Sequence, residues 1–123
     1  MERKNYPALG DPVGPYVHAV KHNGFLFLSG LTAFGSPAQK GGISEQAEAI
    51  FARIASIAQA ERVGLDAIAK VTLFVTSFDD ITALRATLFR TYGAALPASS
   101  LVRVAELFSP DLKIEVEAIL ATS

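Results

Sequence analysis

A change of hydrophobic period in the middle of the sequence constrains the fold more than any other feature. From residue 43 to residue 58, apolar residues recur every three or four positions, which is the stripe of an amphipathic helix: Ile43, Ala47, Ile50, Ile54, Ile57 and Ala58. Residues 70–76 instead alternate and are rich in β-branched side chains, which predicts a strand. The chain therefore combines helices with a sheet.

Two helices are predicted, and both have recognisable ends. Ser44 is the predicted N-cap of the first helix and Gly64 its predicted stop. Asp79 or Asp80 caps the second, Gly93 ends it, and its apolar stripe is Ile81, Leu84, Leu88 and Tyr92. Two helices can cover only one face of a sheet, so we expect the other face to need a partner.

The strands before the first helix form a predicted hairpin. Proline and glycine punctuate the first fifteen residues, which predicts an extended arm, with regular structure beginning at Tyr16. The two predicted strands are residues 17–21 and 25–29. A tight turn is predicted between them, because Asn23 and Gly24 tolerate positive φ. Four consecutive apolar residues in the second strand are typical of a strand covered on both faces. We expect a second subunit to cover one of these faces.

Two final strands, residues 100–104 and 113–120, complete a single domain over residues 1–123. In the last strand the apolar positions share one face, which puts Glu115 and Glu117 together on the other. Residues 32–42 are a predicted loop with at most a short edge strand. The predicted order is therefore β-β-(β)-α-β-α-β-β, with a mixed sheet and both helices on one face.

Composition excludes several classes of function. The chain has no cysteine, which excludes disulfide scaffolds, thiolate metal sites and cysteine nucleophiles. Its formal net charge of −1, without a basic patch, argues against a nucleic-acid partner. No signal-peptide pattern or membrane-length apolar run is present, so we expect a cytoplasmic protein without a membrane partner. Charged residues make up only 19% of the chain, which favours a surface covered by another subunit.

Few residues point to chemistry by themselves. His18 and His22 would be ~13 Å apart on a strand, which argues against a shared metal, and we interpret them as solvated or hairpin-end residues. Glu115 and Glu117 are ordinary surface charge on one interpretation. On the other, a carboxylate between apolar walls acquires a raised pKa and handles protons.

Taken together, these segments resemble the YjgF/RidA family of reactive-intermediate (imine) deaminases, from Gly14 to Leu120. The resemblance rests on short motifs in a fixed order: Gly14-Pro15-Tyr16, Leu28-Ser29-Gly30, Glu45-Gln46, Lys70 to Val75, Pro97-Ala98 and Lys113 to Ile119. It implies a chorismate-mutase-like α+β fold and a homotrimer whose sheets form a central barrel. It also implies small-molecule clefts between subunits, in which enamines or imines are hydrolysed without metal or cofactor.

The resemblance also implies roles for individual residues. Glu115 corresponds to the catalytic glutamate that helps to place the attacking water. Tyr16, Ser29 and Gly30 correspond to residues that bind the substrate. We also assign Ser99 and Ser100 to substrate binding, because they follow the Pro-Ala turn.

The sequence departs from the family pattern at the substrate clamp. Ser99 stands where the deaminases carry an arginine, and a neutral hydroxyl cannot replace a bidentate cation. Arg103 would be ~13 Å further along the strand. The meaning of Arg85, where relatives often have asparagine, stays open. The turn at Phe108-Ser109-Pro110 is one residue longer than in the deaminases and is expected near the cleft.

Two hypotheses of function remain. The first is a hydrolase or deaminase of this lineage that processes 2-imino acids poorly and accepts a substrate without a carboxylate at the usual place. The second is a non-catalytic or regulatory trimer that binds a small molecule. Some relatives are described as ribonucleases or translation inhibitors, an activity that the near-neutral charge of this chain disfavours.

Overall fold

The computed structural model describes residues 1–122, which form one mixed sheet and two helices. In chain order, the elements are β1 (Glu2–Lys4), β2 (Ala19–His22), β3 (Phe25–Leu28), α1 (Ile43–Ala60), β4 (Ile68–Val75), α2 (Ile81–Tyr92), β5 (Ala98–Arg103) and β6 (Ile114–Ala121). Single 3₁₀ turns, Pro7–Leu9 and Leu65–Ala67, precede β2 and β4. Apart from the additional first strand, the order is the predicted one, with residues 32–42 as a loop and no strand in the optional position.

The sheet has the strand order β1-β2-β3-β6-β4-β5. Only β4 and β5 are parallel, and α2 is the crossover between them. The apolar stripe of α1 is buried against alternate residues of the central strands, including Val71 and Leu73 of β4 and Val116 of β6. The predicted α+β class and the helix-covered face are confirmed.

The opposite face of the sheet is largely open in the single chain. Leu26 and Leu28 of β3 are buried, whereas Phe25 and Phe27 are 45% and 43% exposed. Every residue of the edge strand β5 is exposed. Within one chain β3 is therefore covered on only one face, which leaves the expected contact with a second subunit a prediction.

Both predicted ends of α1 were wrong by a few residues. The helix starts at Ile43, so Gly42 is the N-cap, and its N–H lies 3.5 Å from the Glu45 carboxylate. Ser44 lies inside the first turn. At the other end the chain turns at Arg62, which takes a φ of 63°, whereas Gly64 is extended. The helix thus ends before the glycine, and a residue with a side chain adopts the left-handed conformation.

The N-terminal arm is more ordered than the sequence predicted. Residues 2–4 form β1, which pairs antiparallel with β2 and extends the sheet by one strand. The strand was missed because its three residues are all charged and carry no alternation signal. The hairpin prediction was correct: Asn23 and Gly24 have φ of 50° and 81° between β2 and β3. β2, however, begins at Ala19 rather than at residue 17.

A buried glutamine joins α1 to the loops at one end of the sheet. The Gln46 side chain is fully buried, and its amide donates to the carbonyl oxygens of Gln39 at 2.9 Å and Asp111 at 2.8 Å. Its oxygen accepts from the Lys113 N–H at 2.8 Å. The loop before α1 and the turn before β6 are thereby held together. Among residues 1–122, neither helix is long and apolar enough to cross a membrane.

Candidate active site

A cleft of about 540 Å³ opens between the N-terminal arm, the end of β3 and the start of β6. Four of the six predicted site residues line it: Tyr16, Ser29, Gly30 and Glu115. They come from three separate segments of the sequence, and the pairing of β2, β3 and β6 brings these segments together. The cleft volume lies within the ~300–1,000 Å³ typical of sites for drug-sized ligands.

The close approach of Gly30 to Glu115 follows from a shift in strand pairing. Phe27 pairs with Ile119, and further along Leu31 pairs with Val116 through two hydrogen bonds of 2.8 and 3.0 Å. Between these pairs, three residues on one side face two on the other, which is the geometry of a bulge. A Cβ added at Gly30 would lie 2.7 Å from Glu115 Oε2. Glycine therefore leaves the space that the carboxyl group occupies.

Glu115 is half-buried, and no cation within the described part of the chain compensates it. No hydrogen bond and no ion pair to its carboxylate is found within residues 1–122. Burial raises the pKa of this carboxyl group above 4.5, and repulsion by the Glu117 carboxylate raises it further. A glutamate with a raised pKa can hold or release a proton closer to neutral pH than an exposed one.

Glu117 lies on the same sheet face but outside the cleft. It is exposed and lines a separate, smaller depression of about 230 Å³ with Phe27, Lys70 and Thr72. The two acids are thus in different surroundings. This difference supports the prediction that Glu115, rather than Glu117, is the functional glutamate.

Ser29 and Tyr16, two further predicted site residues, form part of the cleft wall. The Ser29 hydroxyl donates to the Val17 carbonyl at 2.6 Å, which leaves only its lone pairs available to a ligand. Tyr16 is 46% exposed. A Cβ at Gly14 would approach the Tyr16 ring to 3.1 Å, so the glycine allows the ring to lie close to the arm.

Ser99 and Ser100 are not near Glu115 within one chain. Both are exposed on β5, the edge strand at the far side of the sheet, separated from β6 by β4. Ser99 pairs with Val71 and so lies on the helix-side face, whereas Ser100 accepts a hydrogen bond of 2.8 Å from Lys70. Their role in substrate binding stays a prediction, and Arg85 and Arg103 also lie outside the cleft.

The interpretation of His18 as a solvated residue was wrong. His18 is only 7% exposed and lines the cleft, and its Nδ1 accepts a hydrogen bond of 2.9 Å from the Tyr6 N–H. Burial lowers the pKa of His18, although Asp11 partly opposes this effect. The neutral ring therefore carries its proton on Nε2. His22, in contrast, is exposed at the end of the hairpin, as interpreted.

Sequence reasoning also missed Arg53 and Phe34 as cleft residues. Arg53 lies in α1 and was not predicted, because it falls outside the apolar stripe of that helix and forms no sequence motif. Phe34 lies in the predicted loop, and its ring contacts Phe108 with centroids 5.0 Å apart. Phe108, expected near the cleft, does line it. Within residues 1–122, no group of three or more histidine, aspartate or glutamate side chains could hold a metal ion.

Comparison with known proteins identifies relatives along almost the whole chain. The family model of endoribonuclease L-PSP matches residues 7–122. A RutC family protein from Pyrococcus horikoshii is 31% identical over 88% of this chain and 87% of its own length. A 2-iminobutanoate/2-iminopropanoate deaminase from Dermatophagoides farinae is 27% identical, with 93% of this chain and 91% of the relative covered.

A solved structure shows the same fold. RidA from an Antarctic Psychrobacter species superposes with a TM-score of 0.81 and 29% sequence identity, over 90% of this chain and 91% of the other. The agreement includes the mixed sheet with both helices on one face. Since family model, relatives and fold agree over nearly the full length, the chain belongs to the YjgF/RidA family, which the endoribonuclease L-PSP model describes.

Proposed function

We propose that this protein is a cofactor-independent hydrolase of the deaminase type, which acts on a small imine or enamine in the cleft beside Glu115. The observation that carries the proposal is the half-buried, unpaired Glu115 carboxyl group, with a raised pKa, next to Gly30. The deaminase relative, 27% identical, supports the reaction class. The absence of cysteine fits action in the reducing cytoplasm.

Glu115 has the properties that imine hydrolysis requires of a proton carrier. As a water oxygen bonds to the carbon of the protonated imine, the Glu115 carboxylate accepts a proton from the water, and the electron pair of the C=N double bond moves to nitrogen to give a carbinolamine. Glu115 then gives this proton to the nitrogen, the C–N bond breaks to release ammonia, and the carboxylate accepts the hydroxyl proton as the carbonyl group forms. A carboxyl group with a pKa nearer to neutrality performs these transfers more readily than an exposed one.

The proposed functional form is a homotrimer with clefts at the subunit boundaries. The uncovered sheet face carries exposed Phe25 and Phe27, and β5 exposes Leu101 and Val102. Ser99 and Ser100 can reach a cleft containing Glu115 only from a neighbouring subunit, because they lie at the far edge of their own sheet. Light scattering at micromolar concentration should give three times the 13.0 kDa chain mass. A stable monomer would exclude this assembly.

Ser99 makes the protein a poor deaminase of short 2-imino acids under this proposal. Losing a charged hydrogen-bond partner costs roughly 1.5–3 kcal/mol, so we expect 2-iminopropanoate hydrolysis at least ~10–100-fold slower than by an arginine-bearing relative. A competition assay, in which the protein intercepts freshly generated 2-iminopropanoate, measures this rate. Ser99→Arg should increase it, and Thr82→Arg, at an exposed position of α2 outside the cleft, serves as the matched control. Equal rates for wild type and the arginine-bearing relative would refute the role of Ser99.

The alternative is a trimer that binds a small molecule without turning it over, and the replacement of the clamp by Ser99 is the feature that favours it. An imine and enamine panel separates the two: turnover that disappears in Glu115→Gln supports the hydrolase, whereas binding without turnover of any member supports the alternative. The cleft does not fit RNA, because Arg53 is its only permanent cation within residues 1–122, beside the acids Asp11 and Glu115.

A further inference from the structure

Arg53 is anchored at the cleft wall in a way that leaves much of its guanidinium group unused. Nη1 donates to the Thr32 carbonyl and Nη2 donates to the Phe34 carbonyl at 3.0 Å. Of the five N–H groups of an arginine, the other three have no acceptor within residues 1–122. The two backbone contacts hold the planar group in place, so a ligand would find it already ordered.

The positive charge of Arg53 also lacks a counter-ion. Lys4, Lys21 and Arg90 each have a carboxylate within 4.0 Å, but no acidic group in the described chain lies that close to Arg53. A planar cation with free donors and no partner is well suited to bind a carboxylate through two parallel hydrogen bonds.

An aromatic surface adjoins this cation. Phe34, whose carbonyl accepts from Arg53, is 46% exposed and packs against Phe108, which is 65% exposed. Both rings line the cleft. Tyr16, Phe34 and Phe108 together give the cleft an apolar wall. A three-carbon acid is too small to cover this wall in a cleft of about 540 Å³.

We propose that Arg53 is the anion-binding residue of the cleft and that the ligand is an aromatic carboxylate, with its acid group on Arg53 and its ring against Phe34 and Phe108. This inference rests on the proposed function, because it assumes that the cleft beside Glu115 binds a small molecule. The proposed carboxylate-binding residue is therefore Arg53, which differs in position from the arginine that the deaminases carry where this chain has Ser99. The ligand class follows from the combination of an unpaired cation and exposed aromatic rings.

The test compares three stable probes by NMR titration of the full chain: 2-phenylacetate, its neutral analogue 2-phenylacetamide, and acetate. Wild-type protein should bind phenylacetate at least ~10-fold more tightly than either of the others. Arg53→Gln keeps an amide that can donate to the Thr32 or Phe34 carbonyl, and it should abolish the preference for the acid over the amide. Arg85→Gln removes an exposed arginine outside the cleft, and it should retain that preference.

A second variant keeps the test decisive if the glutamine variant does not fold. Arg53→Lys retains the charge without the planar fork, and it should weaken phenylacetate binding about 5–10-fold while phenylacetamide binding stays the same. Equal losses for both probes would overturn the assignment. So would a wild-type protein that binds the acid and the amide equally or that binds no probe. Imine turnover and its dependence on Glu115, measured separately, decide the proposed function, so the two failures are distinguishable.

Discussion

Two glutamates of this protein, Glu61 and Glu115, are both shielded from water, but their surroundings differ completely. The Glu61 side chain is 3% exposed just after α1, where Lys4 lies 2.6 Å and Lys21 3.2 Å from its carboxylate oxygens. The Tyr6 hydroxyl donates to it at 2.9 Å. Glu115 has no such partners among residues 1–122, and the backbone at Gly30 leaves room for its carboxyl group.

The two environments shift the pKa values in opposite directions. Burial alone would raise the pKa of Glu61, but the hydrogen bonds from Lys4, Tyr6 and Lys21 outweigh it and lower the pKa below 4.5. Burial and the neighbouring Glu117 raise the pKa of Glu115. Burial alone therefore does not identify a functional carboxylate. The distinguishing feature is a buried carboxylate that lacks a cation or a hydrogen-bond donor to stabilise its charge. Glu61 ties β1 and β2 to α1, whereas Glu115 is available to a ligand.

The largest effect is expected from removing the proton carrier. Glu115→Gln keeps the size of the side chain but cannot transfer a proton, so turnover of the best substrate in an imine panel should fall at least ~100-fold. Glu117→Gln, on the same strand and face but in the other depression, should lower it less than ~3-fold. Steady-state kinetics of both variants check this prediction. Equal losses would remove the basis for distinguishing the two acids.

The second-largest effect is the loss of stability expected when Glu61 is removed. Breaking a buried ion pair typically costs about 3–5 kcal/mol, but Lys4 and Lys21 are 26% and 30% exposed, so we expect Glu61→Ala to lower the free energy of unfolding by about 2–3 kcal/mol. Glu48→Ala, which removes an exposed acid 4.0 Å from Arg90, should cost less than about 0.5 kcal/mol. Urea denaturation measures both. Similar losses for the two variants would show that the Glu61 cluster is not structural.

A glycine substitution tests the space reserved for Glu115. Gly30→Ala should displace the carboxyl group and reduce turnover about 10-fold, because the added Cβ would meet Glu115 Oε2 at 2.7 Å. The flexible side chain can move, so stability should change by less than about 1 kcal/mol. Gly64→Ala is the matched control, since its Cβ would also meet a carboxylate, Asp66 Oδ1, at 3.0 Å away from the cleft. Unchanged turnover in Gly30→Ala would contradict the proposed geometry.

The smallest effect is a difference in how stability depends on pH. Above pH 4.5, unfolded chains release the Glu115 proton while folded chains still hold it, so the free energy of unfolding falls as pH rises through this window. The Glu61 contribution is present above pH 4.5 and is lost as pH falls through its lowered pKa. Glu115→Gln should remove the first decline and Glu61→Gln the second, in denaturation series between pH 3 and 7. The same slopes in wild type and variants would contradict both assignments.

The sequence predicted most of the fold because its strongest signals are local. The stripe of α1, the Asn23-Gly24 turn and the alternation in β4 and β6 are all properties of short segments. The N-terminal strand β1 was missed because it is stabilised by distant contacts, its pairing with β2 and the ion pair of Lys4 with Glu61. No pattern within residues 2–4 carries that information.

The sequence predicted less of the cleft than of the fold, because the cleft depends on contacts between residues that are distant in the sequence. Alternation put Glu115 on the open sheet face, and the family resemblance singled it out, but its missing counter-ion is visible only in three dimensions. His18 was misread because its burial depends on Tyr6, which is twelve residues away. Arg53 could have been noticed as a cation on a largely apolar helix without an acid three or four residues away. That signal is weak, because exposed arginines on helices are common.

The most direct test of the central claim is an NMR titration of the glutamate carboxyl carbons, with Glu115→Gln and Glu61→Gln used to assign the two signals. We expect a pKa above 4.5 for Glu115 and below 4.5 for Glu61 in the same sample. We also expect Glu117→Gln to lower the pKa of Glu115, because one repulsive charge is removed. A Glu115 pKa at or below that of Glu61 would contradict the claim that the cleft holds an uncompensated, proton-carrying carboxyl group.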